Sequence, residues 1–343
     1  MTRSGAVEFT SVKARLADIA AQAGVSEATV SRVLNGKPGV ADGTRSAVLT
    51  ALDLLGGERP ARLKQRRLGL IGLIIPELDN PIFPTFAQVI ERDLTQAGYT
   101  TVLCTQSPGG TTEDDYVELL LDRAVSGIVF VSGLHADTSA DPTRYAKLVA
   151  QRLPIVMVNG AAPSVDAPFI SSDDAVAAEL AVAHLESLGH KNIGLAVGPE
   201  RFVPAQRKAA GFEKATASRG IAASVVHSLY SVEGGYAAAG QLLDAGVTAI
   251  TCGSDLMALG VIRAVRQRGL DVPGDVSVIG YDDSPLIGFT DPPLTTVRQP
   301  VAAMCRAAVQ ALLDEIAGVP VPRTEFFYRP ELVVRSSTGP APA

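Results

Sequence analysis

The sequence predicts an α/β protein in two parts: a small helical head of helix-turn-helix type and a large core of doubly wound parallel sheets. Three observations carry this. Residues 16–35, LADIAAQAGVSEATVSRVLN, hold two runs of helical period on either side of a glycine. From Leu68 onward, short apolar runs alternate with helical patterns, and the alternation occurs twice over. Charge is divided between the two parts. Residues 1–67 hold 11 Lys and Arg against 6 Asp and Glu, whereas the whole chain of 343 residues has a net charge of −6, which leaves −11 on the remainder. A basic head on an acidic body is the polarity of a chain whose head alone meets a polyanion.

Residues 1 to about 14 read as a loose leader. In the stretch that follows, Ile19, Ala20, Ala23, Val25, Val30 and Val33 fall at helical spacing. Ala20 is small enough for two helices to cross closely, Gly24 supplies a left-handed turn residue, and Ser26 is placed to cap the second helix. The early residues of that helix would enter a major groove. Thr29, Ser31, Arg32 and Asn35 form an outward face of short polar or basic side chains suited to phosphates and base edges. Residues 40–55 give a third amphipathic helix through Val48, Leu49, Leu52 and Leu55, and Thr44 and Arg45 near its start could hold a backbone phosphate. The head therefore spans 14–56. Residues 57–67 form a basic, almost coreless linker. Two readings are open for it: a hinge that orders on DNA and presents Leu63 to the minor groove, or a solvated connector.

The core, 68–343, begins with LGLIGLIIP (68–76), a continuous apolar run of the kind a doubly covered strand needs. Further strands are expected at 100–104, 127–131 and 154–158, with helices at 83–98, 114–124 and 145–152 between them. A helix at 175–188 opens a second series, with strands at 192–198, 225–230, 248–253 and 275–282, separated by helices at 205–219, 234–245 and 256–268. A helix at 300–318 and a strand at 331–335 close the chain, and the tail SSTGPAPA is expected to fray. Such alternation means parallel doubly wound sheets. Two series in succession suggest two lobes, expected at about 68–170 plus 283–300 and at 171–282 plus 301–343. Ligands of such sheets sit beyond the carboxyl ends of the strands.

Composition excludes several classes. With 47% hydrophobic and 19% charged residues the chain is globular. It has no apolar run of membrane-spanning length and no export signal ahead of the head. Cys104, Cys252 and Cys305 lie far apart without a CxxC, and the four histidines make no zinc pattern. The expectation is a cytoplasmic protein with no membrane partner, no metal and no cofactor.

At this point the chain resembles the LacI family of transcriptional regulators along nearly its whole length. The head carries ADIAAQAGVSEATVSRVLNG. The core carries IGLIIPELDNPIFPTF, GIVFVS, HLESLGHKNIG, CGSDLMALGVIRAV, DVSVIGYDDSPLIGF and PPLTTVRQP. Several motifs in the right order are far more specific than any one alone. The resemblance implies a two-lobed core like periplasmic binding proteins, a homodimer on a near-palindromic operator, and a small effector in the cleft, a sugar rather than a purine. It places Ser26, Thr29, Ser31, Arg32 and Asn35 on DNA-contacting positions, and Glu27 and Ala28 on the two that most often choose bases. A carboxylate at Glu27 can accept from cytosine N4, and Ala28 offers a methyl contact.

In the core the same resemblance implies a cleft lined by Asp79, Asn80, Phe83, Ser132, Asn159, Asp173, Arg207 or Lys208, Tyr230, Asp255 and Asp282. The chemistry coheres independently. Carboxylates grip vicinal hydroxyls, a cation and amides fix orientation, and aromatic faces take a sugar ring. Helix capping is the competing role for Asp79, Asp173, Asp255 and Asp282. The chain departs from the family pattern at Gly57, where an aromatic is usual, in a shorter hinge, and at Ser254, where Asn is usual.

Two other functions share features with this reading. A solute-binding protein of a sugar transporter would have the same core but no DNA-binding head. An enzyme would need a nucleophile–base set or a phosphate loop, and Asp282-Asp283 alone supplies neither. The sequence therefore predicts a ligand-responsive repressor, not an enzyme, in which cleft closure turns the first lobe against its mate and respaces the two heads.

Overall fold

The computed structural model describes residues 15–37, 39–57, 68–106 and 109–342. Contacts divide the chain between Leu68 and Gly69 into a head and a core. The expected leader, the hinge between 58 and 67 and its Leu63 lie outside the described residues.

The head has three helices: α1 (Leu16–Ala23), α2 (Glu27–Leu34) and α3 (Asp42–Leu54). Gly24 ends α1 at φ 66°, and its backbone N–H points back to the carbonyls of Ala20 and Ala21. Ser26 caps α2, its hydroxyl accepting from Thr29 N at 3.2 Å. Ile19, Ala20, Val30, Val33, Val48, Ala51 and Leu52 form one small buried core. These are the apolar positions that the helical period singles out on all three helices.

The core begins with β1 (Gly69–Ile75), α4 (Ile82–Gln96), β2 (Tyr99–Thr105), α5 (Glu113–Asp122), β3 (Gly127–Val131), α6 (Thr143–Ala150), β4 (Ile155–Val158) and β5 (Phe169–Ser172). It continues through α7 (Asp174–Ser187), β6 (Asn192–Val197), α8 (Val203–Ala217), β7 (Ala222–His227), α9 (Val232–Asp244), β8 (Ala249–Cys252), α10 (Asp255–Gln267), β9 (Ser277–Asp282) and β10 (Thr295–Arg298). It ends with α11 (Val301–Ile316), β11 (Glu325–Tyr328) and β12 (Glu331–Val333).

Two six-stranded sheets result, in the orders β11-β5-β4-β3-β1-β2 and β12-β10-β9-β8-β6-β7. Every pairing is parallel except β10 with β12. Each sheet is covered on both faces. In the first, α4 and α11 supply one apolar layer and α5 and α6 the other. In the second, α9 and α10 cover one face and α7 and α8 the other.

The lobes differ from the expected division. β10 joins the second sheet, whereas α11 packs on the first and β11 extends its edge beside β5. The first lobe is thus about 69–172 plus 301–328, and the second about 174–298 plus 331–342. The chain crosses between them three times, after β5, β10 and β11. The expected division fails because β5, β10 and β11, each only four residues long, mark the crossings and are not evident from periodicity.

The C-terminal tail also differs from expectation. Ser337 is fully buried; its hydroxyl accepts from Thr295 N at 2.8 Å and donates to Val278 O at 2.6 Å. His190, likewise buried, meets the carbonyl of Gly339 at 3.1 Å, and Ala341 N donates to Leu188 O. The tail is docked because it satisfies backbone groups that the second sheet would otherwise leave unpaired.

Candidate functional site

On the head, α2 turns Ser26, Glu27, Ala28 and Arg32 to solvent, while Thr29, Ser31, Asn35, Thr44 and Arg45 are half-buried. Short polar contacts organise this face. Thr29 Oγ1 lies 3.0 Å from Ser26 Oγ, Asn35 Nδ2 donates to Ser31 Oγ at 3.2 Å, and Arg45 reaches Lys37 O at 3.4 Å. Glu27 stands in the first turn of α2, where the helix dipole favours a carboxylate whatever its further role. The two buried positions of α2 are Val30 and Val33, on the side turned away from these groups.

In the core, a cleft of about 490 Å³ lies between the lobes at the carboxyl ends of the strands. Of the residues expected there, Asn80, Phe83, Ser132, Asn159, Lys208, Tyr230 and Asp282 line it. Two of them follow a strand with a left-handed backbone, Ser132 at φ 47° and Asn159 at φ 60°, which turns the chain sharply at the cleft floor. Asn80 is buried and its Oδ1 accepts from Ile82 N at 3.3 Å, steadying the entry to α4.

Four expected residues do not line the cleft. Asp79 is exposed, one position away from Asn80. Asp173 caps α7 by accepting from Val176 N at 3.1 Å. Arg207 forms a two-pronged ion pair with Glu325 at 2.7 and 2.8 Å and lies over the Phe327 ring. Asp255 sits behind the cleft wall, accepting from Ser284 N at 2.7 Å and Thr296 Oγ1 at 2.6 Å. Asp173 takes the capping role open to it in the sequence, whereas Arg207 and Asp255 have structural partners, Glu325 and the Ser284–Thr296 pair, that the sequence pattern does not disclose.

The cleft also contains groups the sequence reading missed: Asp174, Tyr281 and Gln299, with Glu77, Arg201, Phe202 and Ser231. Asp174 and Lys208 pair at 2.5 Å, both nearly sealed from solvent. Tyr281 donates to the same carboxylate at 3.2 Å, and its ring lies 3.9 Å beneath the ammonium. Gln299 Nε2 donates to Asp282 Oδ1 at 2.7 Å. Burial holds the Asp282 carboxyl well above its ordinary pKa, and the neighbouring Asp255 charge adds to that. The adjacent pairs Asp173-Asp174 and Tyr281-Asp282 were the available signal, since the cap position of α7 takes the first aspartate and leaves the second free to face the cleft.

The result is a half-open site with aromatic and proline walls and a polar lining of two cations, three carboxyls, amides and hydroxyls. It can hydrogen-bond a neutral polyhydroxylated molecule and stack against its apolar faces. Among the described residues no cluster of three or more His, Cys, Asp or Glu is arranged to hold a metal, and no helix is long and apolar enough to cross a membrane.

Comparison with known proteins agrees with both parts. Residues 15–56 match the family described as bacterial regulatory proteins, lacI family, and residues 182–338 match a periplasmic binding protein-like domain. The chain is 64% identical over 335 residues to the HTH-type transcriptional regulator MalR of Streptomyces coelicolor, covering 96% of this chain and 97% of that one. It is 32% identical over 338 residues to the transcriptional repressor CytR of Escherichia coli, covering 96% and 97%. Among solved structures it is similar to a CelR–cellobiose complex (TM-score 0.70, 30% identity, 95% of this chain and 100% of that one). It is also similar to the lac repressor dimer bound to operator and the anti-inducer ONPF (TM-score 0.69, 29% identity, 95% and 99%). A helix-turn-helix reader ahead of a two-lobed sheet core, together with full-length identity at this level, establishes that the chain belongs to the LacI family of DNA-binding transcriptional regulators, which are not enzymes.

Proposed function

We propose that the chain is a repressor whose operator affinity is set by a sugar of about disaccharide size in the interlobe cleft. The observation that carries this is the cleft itself: about 490 Å³, aromatic along its walls, with paired Asp174–Lys208 and Asp282–Gln299 on its floor. Ligand clefts commonly span about 300–1,000 Å³, and this one has room for two linked rings. The similar CelR structure holds cellobiose. Asn80, Ser132, Asn159, Lys208 and Asp282 are the proposed hydrogen-bonding contacts, and Phe83 and Tyr230 the stacking faces. Asp174 and Gln299 orient Lys208 and Asp282.

On the head, Glu27 and Ala28 are the proposed base-reading positions. Ser26, Thr29, Ser31, Arg32, Asn35, Thr44 and Arg45 are the proposed contacts to backbone phosphate and flanking edges. The working form is a homodimer. Support comes from the exposed apolar side chains Leu286 (76% exposed) and Phe289 (88% exposed) in the loop after β9, whose next residues, Thr290 and Asp291, line a surface hollow with Leu259 and Ile262 of α10. A two-fold dimer presents two heads to two half-sites, as operator palindromy requires.

The test is thermal unfolding of the full chain with cellobiose, maltose, trehalose, ribose and adenosine. At a hundredfold excess over the dissociation constant a bound sugar stabilises by about 2.7 kcal/mol. A disaccharide that raises the core transition and changes operator affinity supports the reading. Stabilisation by adenosine alone, or by ribose more than by any disaccharide, refutes it.

A further inference from the structure

The loop after β3 does something the cleft chemistry does not account for. Residues 134–136 form a 3₁₀ turn, and the segment that follows reaches out to touch the second lobe before returning to α6. Thr138 donates to the carbonyl of Arg201 twice, from its N–H and from its hydroxyl, both at 2.8 Å. Asp137 accepts from Arg201 Nε at 2.9 Å, and the backbones of Asp137 and Phe202 pair as an isolated antiparallel bridge. Arg201 and Phe202 line the cleft, and the guanidinium covers the Phe202 ring at 4.7 Å. Asp137 and Thr138 do not line it.

The position of this bridge matters. The three chain crossings leave β5, β10 and β11, at one end of each sheet. The bridge joins the loops after β3 and β6. In the first sheet β3 is two strands from β5, and in the second β6 is three strands from β10. The contact therefore lies on the side of the cleft away from the crossings, where nothing covalent holds the lobes together.

The segment is firmly anchored on its own lobe. Leu134 N donates to Glu113 Oε2 at 3.0 Å, and the Tyr145 hydroxyl donates to the other oxygen of that buried carboxyl. His135 Nε2 meets Val158 O at 3.1 Å. Burial lowers the His135 pKa to about 4, so the imidazole is neutral and that nitrogen donates. Gly160, at φ +142°, lets the turn seat closely: a Cβ there would lie 2.9 Å from Ala136 Cα. Asp137 in turn accepts from Ser139 N at 2.9 Å and Ser139 Oγ at 2.6 Å, which fixes its carboxylate before it meets Arg201.

We propose that Asp137 and Thr138 are positioning residues that clamp the mouth of the cleft, holding Arg201 and Phe202 in place as its outer wall and biasing the lobes toward the closed arrangement. The clamp acts through the second-lobe loop rather than through contact with an occupant. It is therefore independent of what the cleft binds, and its test needs no ligand.

The experiment measures the interlobe distance in the full chain by double electron–electron resonance, with spin labels at Glu118→Cys on α5 and Glu213→Cys on α8. Both positions are exposed, and the three native cysteines are buried. Asp137→Asn keeps an oxygen for Ser139 and removes only the ion pair. It should raise the population at long distance about two- to fivefold, the range expected for one partly exposed ion pair. Arg201→Gln should do the same, and the double variant no more than either single, because both remove one interaction. Thr138→Val should shift the distribution in the same direction. Arg144→Gln, which breaks an ion pair with Asp114 inside the first lobe, should leave the distances unchanged. A parental distribution in Asp137→Asn, or effects of Asp137→Asn and Arg201→Gln that simply add, would overturn the clamp. Neither result would bear on whether the cleft takes a sugar.

Discussion

Lys208 and Asp174 are 7% and 4% exposed and 2.5 Å apart, so neither charge tolerates the loss of the other. Lys208→Met should lower core stability by about 3–5 kcal/mol, because Asp174 is left buried without its ion-pair partner, and the Tyr281 hydroxyl and the more distant Arg207 charge compensate only in part. Adding Asp174→Asn should restore much of the loss, as read by urea unfolding. Asp255 gives a pH signature. Burial raises its pKa from 3.8 to about 6, so the folded core holds a proton there that the unfolded chain has released. Stability from this group therefore falls as pH rises from about 4 to about 6 and is level above that, a change of order 1–3 kcal/mol. Relative to Asp255→Asn, the parent should lose stability across that window; parallel curves would refute the assignment. At this scale the sequence marks the right neighbourhoods and sometimes the wrong neighbour. It could place aspartates at 173 and 174 but not decide which one the α7 cap would take. It could weigh Arg207 against Lys208 but could not see Glu325, which arrives 118 residues later to claim the arginine.

The turn between α1 and α2 depends on backbone geometry alone. A Cβ at Gly24 would meet nothing within 4 Å, yet φ stays at +66°. Gly24→Ala should therefore cost about 1–2 kcal/mol through left-handed strain without any steric clash. Amide exchange in the head should accelerate and operator affinity fall, with the core melting transition unmoved; a shifted core transition would mean the two units share stability. The helices were legible because each buries a stripe at helical period. Strands β1, β3 and β4 were legible as unbroken apolar runs. β5, β10 and β11 were not, for a local reason: FISS, TTVR and EFFY are four residues each, with polar or charged members, and take strand form because a neighbour offers a ladder. β7 lies at 222–227 rather than 225–230 because it is an edge strand, with little burial to impose a pattern on its sequence.

For the molecule as a whole, Phe289→Asp should convert the proposed dimer to a monomer in sedimentation at micromolar concentration. Operator binding should weaken more than any single head contact would explain, and a persisting dimer would move the interface elsewhere. Fold class was legible at this scale because alternation and charge asymmetry are summed over many residues. The partition into lobes was not, because it depends on which sheet each of three short strands joins. That threading has a consequence for biosynthesis. The first lobe needs α11 and β11 to complete its apolar layer and its edge, and both are translated only after β6 to β10 of the second lobe. The head, whose last helix ends at Leu54, is complete long before its controller is. Until α11 and β11 are made, a nascent chain carries a DNA reader with no working sensor attached.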